Sequence, residues 1–145
     1  MRWPAASRVL PIYQVFECAD GHIIIATGND AQYRRLCSVL NLDDMAEDPK
    51  YLRNSDRIAN REDMTERLTE RTKTFAKDAL LSACEDQGIP AGPINDMAEV
   101  FADPQVIARG MKVELDGVPY VRSPFVFSDA ELTLNRGAPK LGEDN

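Results

Sequence analysis

The chain has 145 residues, 43% of them hydrophobic and 28% charged, which suits a soluble globular protein able to bury its own core. Its 17 Lys and Arg against 24 Asp and Glu leave a net charge of −7; nucleic acid and anionic membrane surfaces, both held through clustered basic residues, are therefore poor partners. A single histidine, His22, and three scattered cysteines, Cys18, Cys37 and Cys84, exclude H-E-x-x-H zinc chemistry and a disulfide framework, and point to a reducing, cytoplasmic setting without a metal.

Residues 1–10 carry no period, and 1–12 read as a lead-in segment. Pro11 to Phe16 and His22 to Thr27 are β-branched and aromatic runs around Ala19-Asp20-Gly21, which together spell a β-hairpin. The continuous Ile23-Ile24-Ile25 predicts a strand covered on both faces. It is also the longest aliphatic stretch, far below the roughly 20 residues of a membrane span. The first residues, Met1-Arg2-Trp3-Pro4, lead into a polar mixture without the apolar core of a signal peptide. Asp30 is expected to cap a helix reaching about Leu40, with Tyr33, Leu36, Cys37 and Leu40 on its inner face.

Asp43 to Asn54 is acidic, contains Pro49 and reads as a loop with short turns. Asn60 followed by Asp63 resembles a capping pair opening a helix to about Thr72, and a further helix runs from Ala76 to Asp86 and stops at Gly88. The prolines of Ile89-Pro90-Ala91-Gly92-Pro93-Ile94 bar it from the centre of a sheet, so it is expected to be an extended connector. Short helices follow at Met97 to Phe101 and after Asp103-Pro104, ending near Gly110. Met111 to Leu115 and Pro119 to Arg122 flank Asp116-Gly117 in a second hairpin. Ser123 to Asn145 reads as an extended tail. The fold class is mixed α+β, with β-hairpins packed against short helices rather than an alternating βαβ array.

Three features could carry chemistry. Thr27-Gly28-Asn29-Asp30-Ala31-Gln32 joins a buried strand to a helix, where exposed amides can receive an anion. Asp30 would repel a phosphate there, and no phosphate-loop signature is present, so capping is the stronger physical reading. Gly88 to Pro93 suits a rigid cleft wall and a plain connector equally. Glu17, Asp20, Asp30, Glu85 and Asp103 are carboxylates without a pairing that singles out a nucleophile.

A resemblance adds to this. The run Tyr13 to Gly21, then Ile25 to Gln32, Asp48-Pro49, Asn54 to Arg61, Gly88 to Ile94, Phe101 to Gln105, Arg109-Gly110-Met111, Ser123-Pro124 and Ala138 to Glu143 together resemble the family III CoA-transferases. That group includes formyl-CoA transferase, carnitine CoA-transferase and alpha-methylacyl-CoA racemase. The resemblance implies an interlaced homodimer of two-domain subunits. In it, a large Rossmann-like domain holds CoA and a catalytic aspartate that forms mixed anhydrides with acyl groups. This chain is similar to the small domain, 13–122, followed by a C-terminal tail, 123–145, that stops short of the family's terminal helix. No acidic residue matches the nucleophile, so no catalytic residue is assigned.

Tyr13, Gly28, Asn29 and Asp30 match positions that line the acyl pocket in racemase-like members, and the resemblance makes them substrate-binding candidates. It implies no tightly bound cofactor, a coenzyme A thioester as substrate, and a large CoA-transferase domain or a second copy as partner. Ala5-Ala6-Ser7-Arg8-Val9 lacks the glycine run of formyl-CoA transferase, so a gating loop does not transfer. Three functions follow: part of an enzyme moving CoA from an acyl-CoA to a carboxylic acid, part of a 2-methylacyl-CoA racemase, or a non-catalytic remnant acting as an interaction module.

Overall fold

The computed structural model describes residues 12–143. The lead-in before Ile12, with Ala5 to Val9, and the last two positions of the tail lie outside the described residues. The chain divides into two compact units with the seam between Ile94 and Asn95, inside the 13–122 span.

In the first unit, β1 (Ile12–Cys18) and β2 (Gly21–Thr27) pair antiparallel from Ile12 opposite Thr27 to Cys18 opposite Gly21. The connection is thus Ala19-Asp20. Neither residue adopts positive φ, so this hairpin turns without the left-handed pair that a type I′ turn requires. It is fixed by its neighbours instead. The Ala19 N–H donates to the Phe75 carbonyl at 2.9 Å. The Asp20 carboxylate accepts the Lys77 N–H at 2.6 Å, capping α5 (Lys77–Asp86).

A third strand, β3 (Ala91–Ile94), pairs antiparallel with β2 at the edge of the sheet, Pro93 opposite Ile23. The expected connector is therefore an edge strand. A proline bars a segment from the centre of a sheet, not from an edge, where one side needs no ladder bonds. The strand β2 is central, but its burial alternates: Ile23 and Ile25 are buried and Ile24 is half-buried beside Gly92. Only one face of the isoleucine run is fully covered, which corrects the two-sided expectation.

That face packs on helices. In α1 (Asp30–Val39) Tyr33, Leu36 and Cys37 point inward, followed by buried Leu40. In α4 (Arg61–Thr72) the inward residues are Met64 and Leu68, and in α5 Leu80 and Cys84. Backbone carbonyls of the sheet and of α1 tie α4 down: Thr72 Oγ1 donates to the Glu17 carbonyl at 2.7 Å, and Arg71 Nε to the Leu40 carbonyl at 2.6 Å.

The acidic loop expected over Asp43 to Asn54 contains α2 (Asp43–Glu47) and leads into α3 (Asn54–Ala59). Asp43 and Asp44 favour the positive N-terminal end of the first, while Met45 and Ala46 supply its buried contact. Asn60 precedes α4 but makes no side-chain cap; its amide donates to the Asp56 carbonyl at 2.9 Å and the Lys50 carbonyl at 3.2 Å. Gly88, at φ +60, ends the α5 region in the left-handed conformation that glycine adopts most readily.

The second unit contains α6 (Met97–Ala102), α7 (Pro104–Ala108), and an antiparallel pair, β4 (Lys112–Leu115) with β5 (Val118–Val121). Asp96 and Glu99 form a reciprocal capping box at 2.8 Å in each direction. Asp103 caps α7 over Pro104. Asp116 and Gly117 both take positive φ, 54° and 76°, as a type I′ turn demands. Beyond Val121 the described residues form no strand or helix. Together the two units bear out the mixed helix-and-sheet class. Among the described residues no helix is long and apolar enough to cross a membrane, and no cluster of His, Cys, Asp and Glu could hold a metal ion.

Candidate functional site

The hairpin register sets the first part of the site. Because Ile12 pairs with Thr27, the start of β1 and the end of β2 share one end of the sheet. Tyr13 and the Gly28–Asn29–Asp30 turn therefore belong to that end. Alternation decides which side chains reach solvent: Ile12 and Thr27 are buried, and Tyr13 is 46% exposed. Gly28 and Asn29 are exposed as well.

The turn itself is closely tied. Asn29, not Asp30, is the N-cap of α1. Its Oδ1 accepts the Gln32 N–H at 2.9 Å, and the Gln32 Oε1 in return accepts the Gly28 N–H at 2.8 Å. Asp30 is the first residue of the helix. An amide oxygen thus does the capping, and the Asp30 carboxylate is free to face another partner.

That partner is Arg57 on α3, whose side chain is fully buried beneath the half-exposed Asp30. Its Nη2 donates to Asp30 Oδ1, while Nη1 donates to the carbonyls of Tyr51 at 2.8 Å and Leu52 at 3.2 Å. The guanidinium carbon lies 4.6 Å from the centroid of the Tyr33 ring, a cation–π contact, and Nε–H has no hydrogen-bond acceptor among the described residues. One buried cation thus joins the start of α1, its second turn and the Tyr51–Leu52 segment.

The surroundings are apolar and raise acid pKa values. Burial pushes the Tyr33 hydroxyl well above the usual phenol range, assisted by its hydrogen bond with Cys37. That hydroxyl donates to the Met45 carbonyl at 3.1 Å. Burial likewise lifts the Cys37 thiol to about 11. Neither group is a nucleophile at neutral pH. Tyr51 donates its hydroxyl to Asp63, a bond that holds the carboxyl below the usual range. Among the described residues around the turn, burial leaves neither Tyr33 nor Cys37 activated as a covalent catalyst.

The sequence points to Tyr13, Gly28, Asn29 and Asp30, within a turn that reaches Gln32, and gives Arg57 no role. The Gln32 link could have been inferred from its four-residue spacing to Gly28. Arg57 sits 27 residues from Asp30 in a short polar segment, and no local pattern couples the two.

Comparison with known proteins settles the lineage. The profile described as CoA-transferase family III matches residues 2–145. The chain belongs to that family. A succinate–glutarate CoA-transferase from Agrobacterium fabrum is 43% identical over 136 residues, covering 90% of this chain and 34% of that protein. The human succinyl-CoA:glutarate CoA-transferase is 34% identical, covering 98% of this chain and 34% of its own length. A crystal structure of a CaiB/BaiF family protein from Brucella suis superposes with a TM-score of 0.88 at 47% identity, over 96% of this chain and 37% of that one. This family III chain thus spans about a third of the length of the relatives it matches.

Proposed function

We propose that this chain is the small-domain portion of a CoA-transferase, with residues 13–122 as the small domain and 123–145 as the returning C-terminal tail. The enzyme exchanges CoA between an acyl-CoA thioester and a carboxylate: the thioester bond of the donor breaks, a thioester forms on the acceptor, and the donor acid is released. The acceptor is a short dicarboxylic acid of the succinate or glutarate type. The observation that carries this reading is the 43% identity to a succinate–glutarate CoA-transferase over nine-tenths of the chain.

The chain contributes binding surface, and a large CoA-transferase domain contributes the reacting carboxylate and most of the CoA contacts. The buried, protonated Tyr33 and Cys37 beside the Gly28 turn are compatible with that division. Tyr13, Gly28, Asn29 and Asp30 form a wall of the acyl site. The working assembly pairs two copies in the cytoplasm; the three cysteines, free and buried, are compatible with a reducing compartment.

The purified chain alone is expected to transfer no CoA from succinyl-CoA to glutarate. Co-expression with a separately encoded large domain is expected to yield a co-purifying complex that does. Turnover by the chain alone refutes the division of labour. A complex that neither forms at micromolar concentration nor turns over leaves the chain a non-catalytic interaction module, and racemisation of a 2-methylacyl-CoA without transfer replaces the reaction assigned.

A further inference from the structure

We propose that Arg57 is a positioning residue for the substrate-facing turn: wholly buried, it reaches the acyl site only through Asp30. The inference rests on the reading of Gly28, Asn29 and Asp30 as a wall of that site, and it assigns a function to a residue that cannot touch substrate.

The geometry has three parts. Arg57 is anchored from behind by the Tyr51 and Leu52 carbonyls at 2.8 and 3.2 Å and from the side by the Tyr33 ring at 4.6 Å. A planar guanidinium gripped on several edges has little freedom, so the direction of Nη2 is set by the interior. That nitrogen holds Asp30 Oδ1, which fixes the first residue of α1. Asn29 and Gln32 then close the rest of the turn through Gln32 N–H and Gly28 N–H at 2.9 and 2.8 Å. The interior thus dictates the position of an exposed loop through one ion pair.

The pair also sets charge. Asp30 alone would oppose an acid substrate, as its side chain is 47% exposed. The buried cation beneath it offsets that charge at short range, where solvent screens least. Without Arg57 the turn would be both looser and more negative, and each change weakens binding of a carboxylate acceptor.

The test uses the active assembly of this chain with a large domain, assayed with succinyl-CoA and glutarate. Arg57→Met is expected to raise the glutarate KM about 10-fold with kcat within about two-fold, since misplacing a binding wall costs substrate affinity. Arg57→Lys, which keeps the charge but loses the fork, should fall between the two. A residue that only supports folding would lower the active fraction, and so the apparent kcat, and leave KM alone. Hydrogen exchange on the same proteins should show the Gly28 and Gln32 amides accelerated in Arg57→Met by more than the Leu68 amide, which follows the loss of global stability. Should Arg57→Met fail to fold, the Arg57→Lys KM and exchange rates decide alone. An unchanged KM in a folded variant overturns the positioning role while the CoA-transfer reading stands. A wild-type assembly that transfers no CoA to glutarate overturns that reading, and this inference with it.

Discussion

The two units reach order by different routes. Up to Ile89 the first unit gathers buried residues from two strands and four helices onto one face of a sheet: Phe16, Ile23, Ile25, Leu36, Met45, Leu68 and Leu80 are all essentially inaccessible. In the second unit no described residue is buried. Met97, Ile107, Val121, Phe125, Val126 and Phe127 are each more than half exposed. Yet its helices and hairpin carry the cleaner local signals, including the Asp96–Glu99 capping box and the Asp116–Gly117 turn. Local chemistry is enough to fix an element, but apolar burial is what joins elements into a cooperative unit. The contrast yields four tests.

The largest effect should come from the core. Leu68→Ala is expected to cost about 2–5 kcal/mol in urea unfolding of the chain, through lost burial and the cavity left behind. Phe125→Ala, at 69% exposure, should stay within about 0.5 kcal/mol. A loss of similar size at both positions would erase the distinction between the units.

Next in size is the buried cation of the first unit. Asp30→Asn leaves Arg57 without its counter-charge and should cost about 3 kcal/mol, the low end for breaking a buried pair, because two carbonyls still receive the guanidinium. Combining it with Arg57→Met should give a coupling of about 1–3 kcal/mol in a double-mutant cycle. Additive losses would show that the pair contributes nothing as a pair.

Alkaline pH probes the same core without substitution. Folded Cys37 and Cys84 keep their protons to about 11, both raised by burial from an ordinary value of 9.0. Between those values the unfolded chain has released protons that the folded chain retains, so stability falls as pH rises. Each thiol should contribute a slope of up to about 1.4 kcal/mol per pH unit. Replacing either cysteine with Ala should remove its share of the slope. A flat profile from pH 9 to 11 would mean that the thiols are not enclosed as described.

The smallest effects separate the units most sharply. Gly88 and Gly117 have φ of +60° and +76°, with open space around an added Cβ, so alanine at either costs about 1 kcal/mol of backbone strain and little else. Gly88→Ala should lower the global unfolding free energy by that amount. Gly117→Ala should accelerate exchange of the Val118 amide and leave the global transition in place. A global shift from Gly117→Ala would show that the second unit unfolds with the first.

The same division explains what could be read in advance. Helix and strand positions followed from periodicity and turn chemistry: Tyr33, Leu36 and Cys37 lie on the expected inner face of α1, and the Asp103–Pro104 start of α7 stands where it was expected. The errors fell where one residue does another's work. Asp30 was expected to cap α1, but Asn29 does so because Asp30 is drawn to a cation. Asn60 and Asp63 were expected to pair, but they hold Lys50 and Asp56 carbonyls and the Tyr51 hydroxyl. The segment from Asp43 to Asn54 hid α2 because five residues are too few for a visible period. Of the site, the turn was legible and its support was not.

Of the core, the sequence by itself determined the α1 face of Tyr33, Leu36, Cys37 and Leu40, and beyond it the two hairpins, the acidic net charge and the family. What only the tertiary structure decided is how that core is shared and which polar groups meet inside it. Hydrophobic pattern is periodic and shows in any window of several turns, whereas the partner of a buried charge is chosen by distance in space. Arg57 beneath Asp30 is that choice, and it turns a surface loop into a placed one.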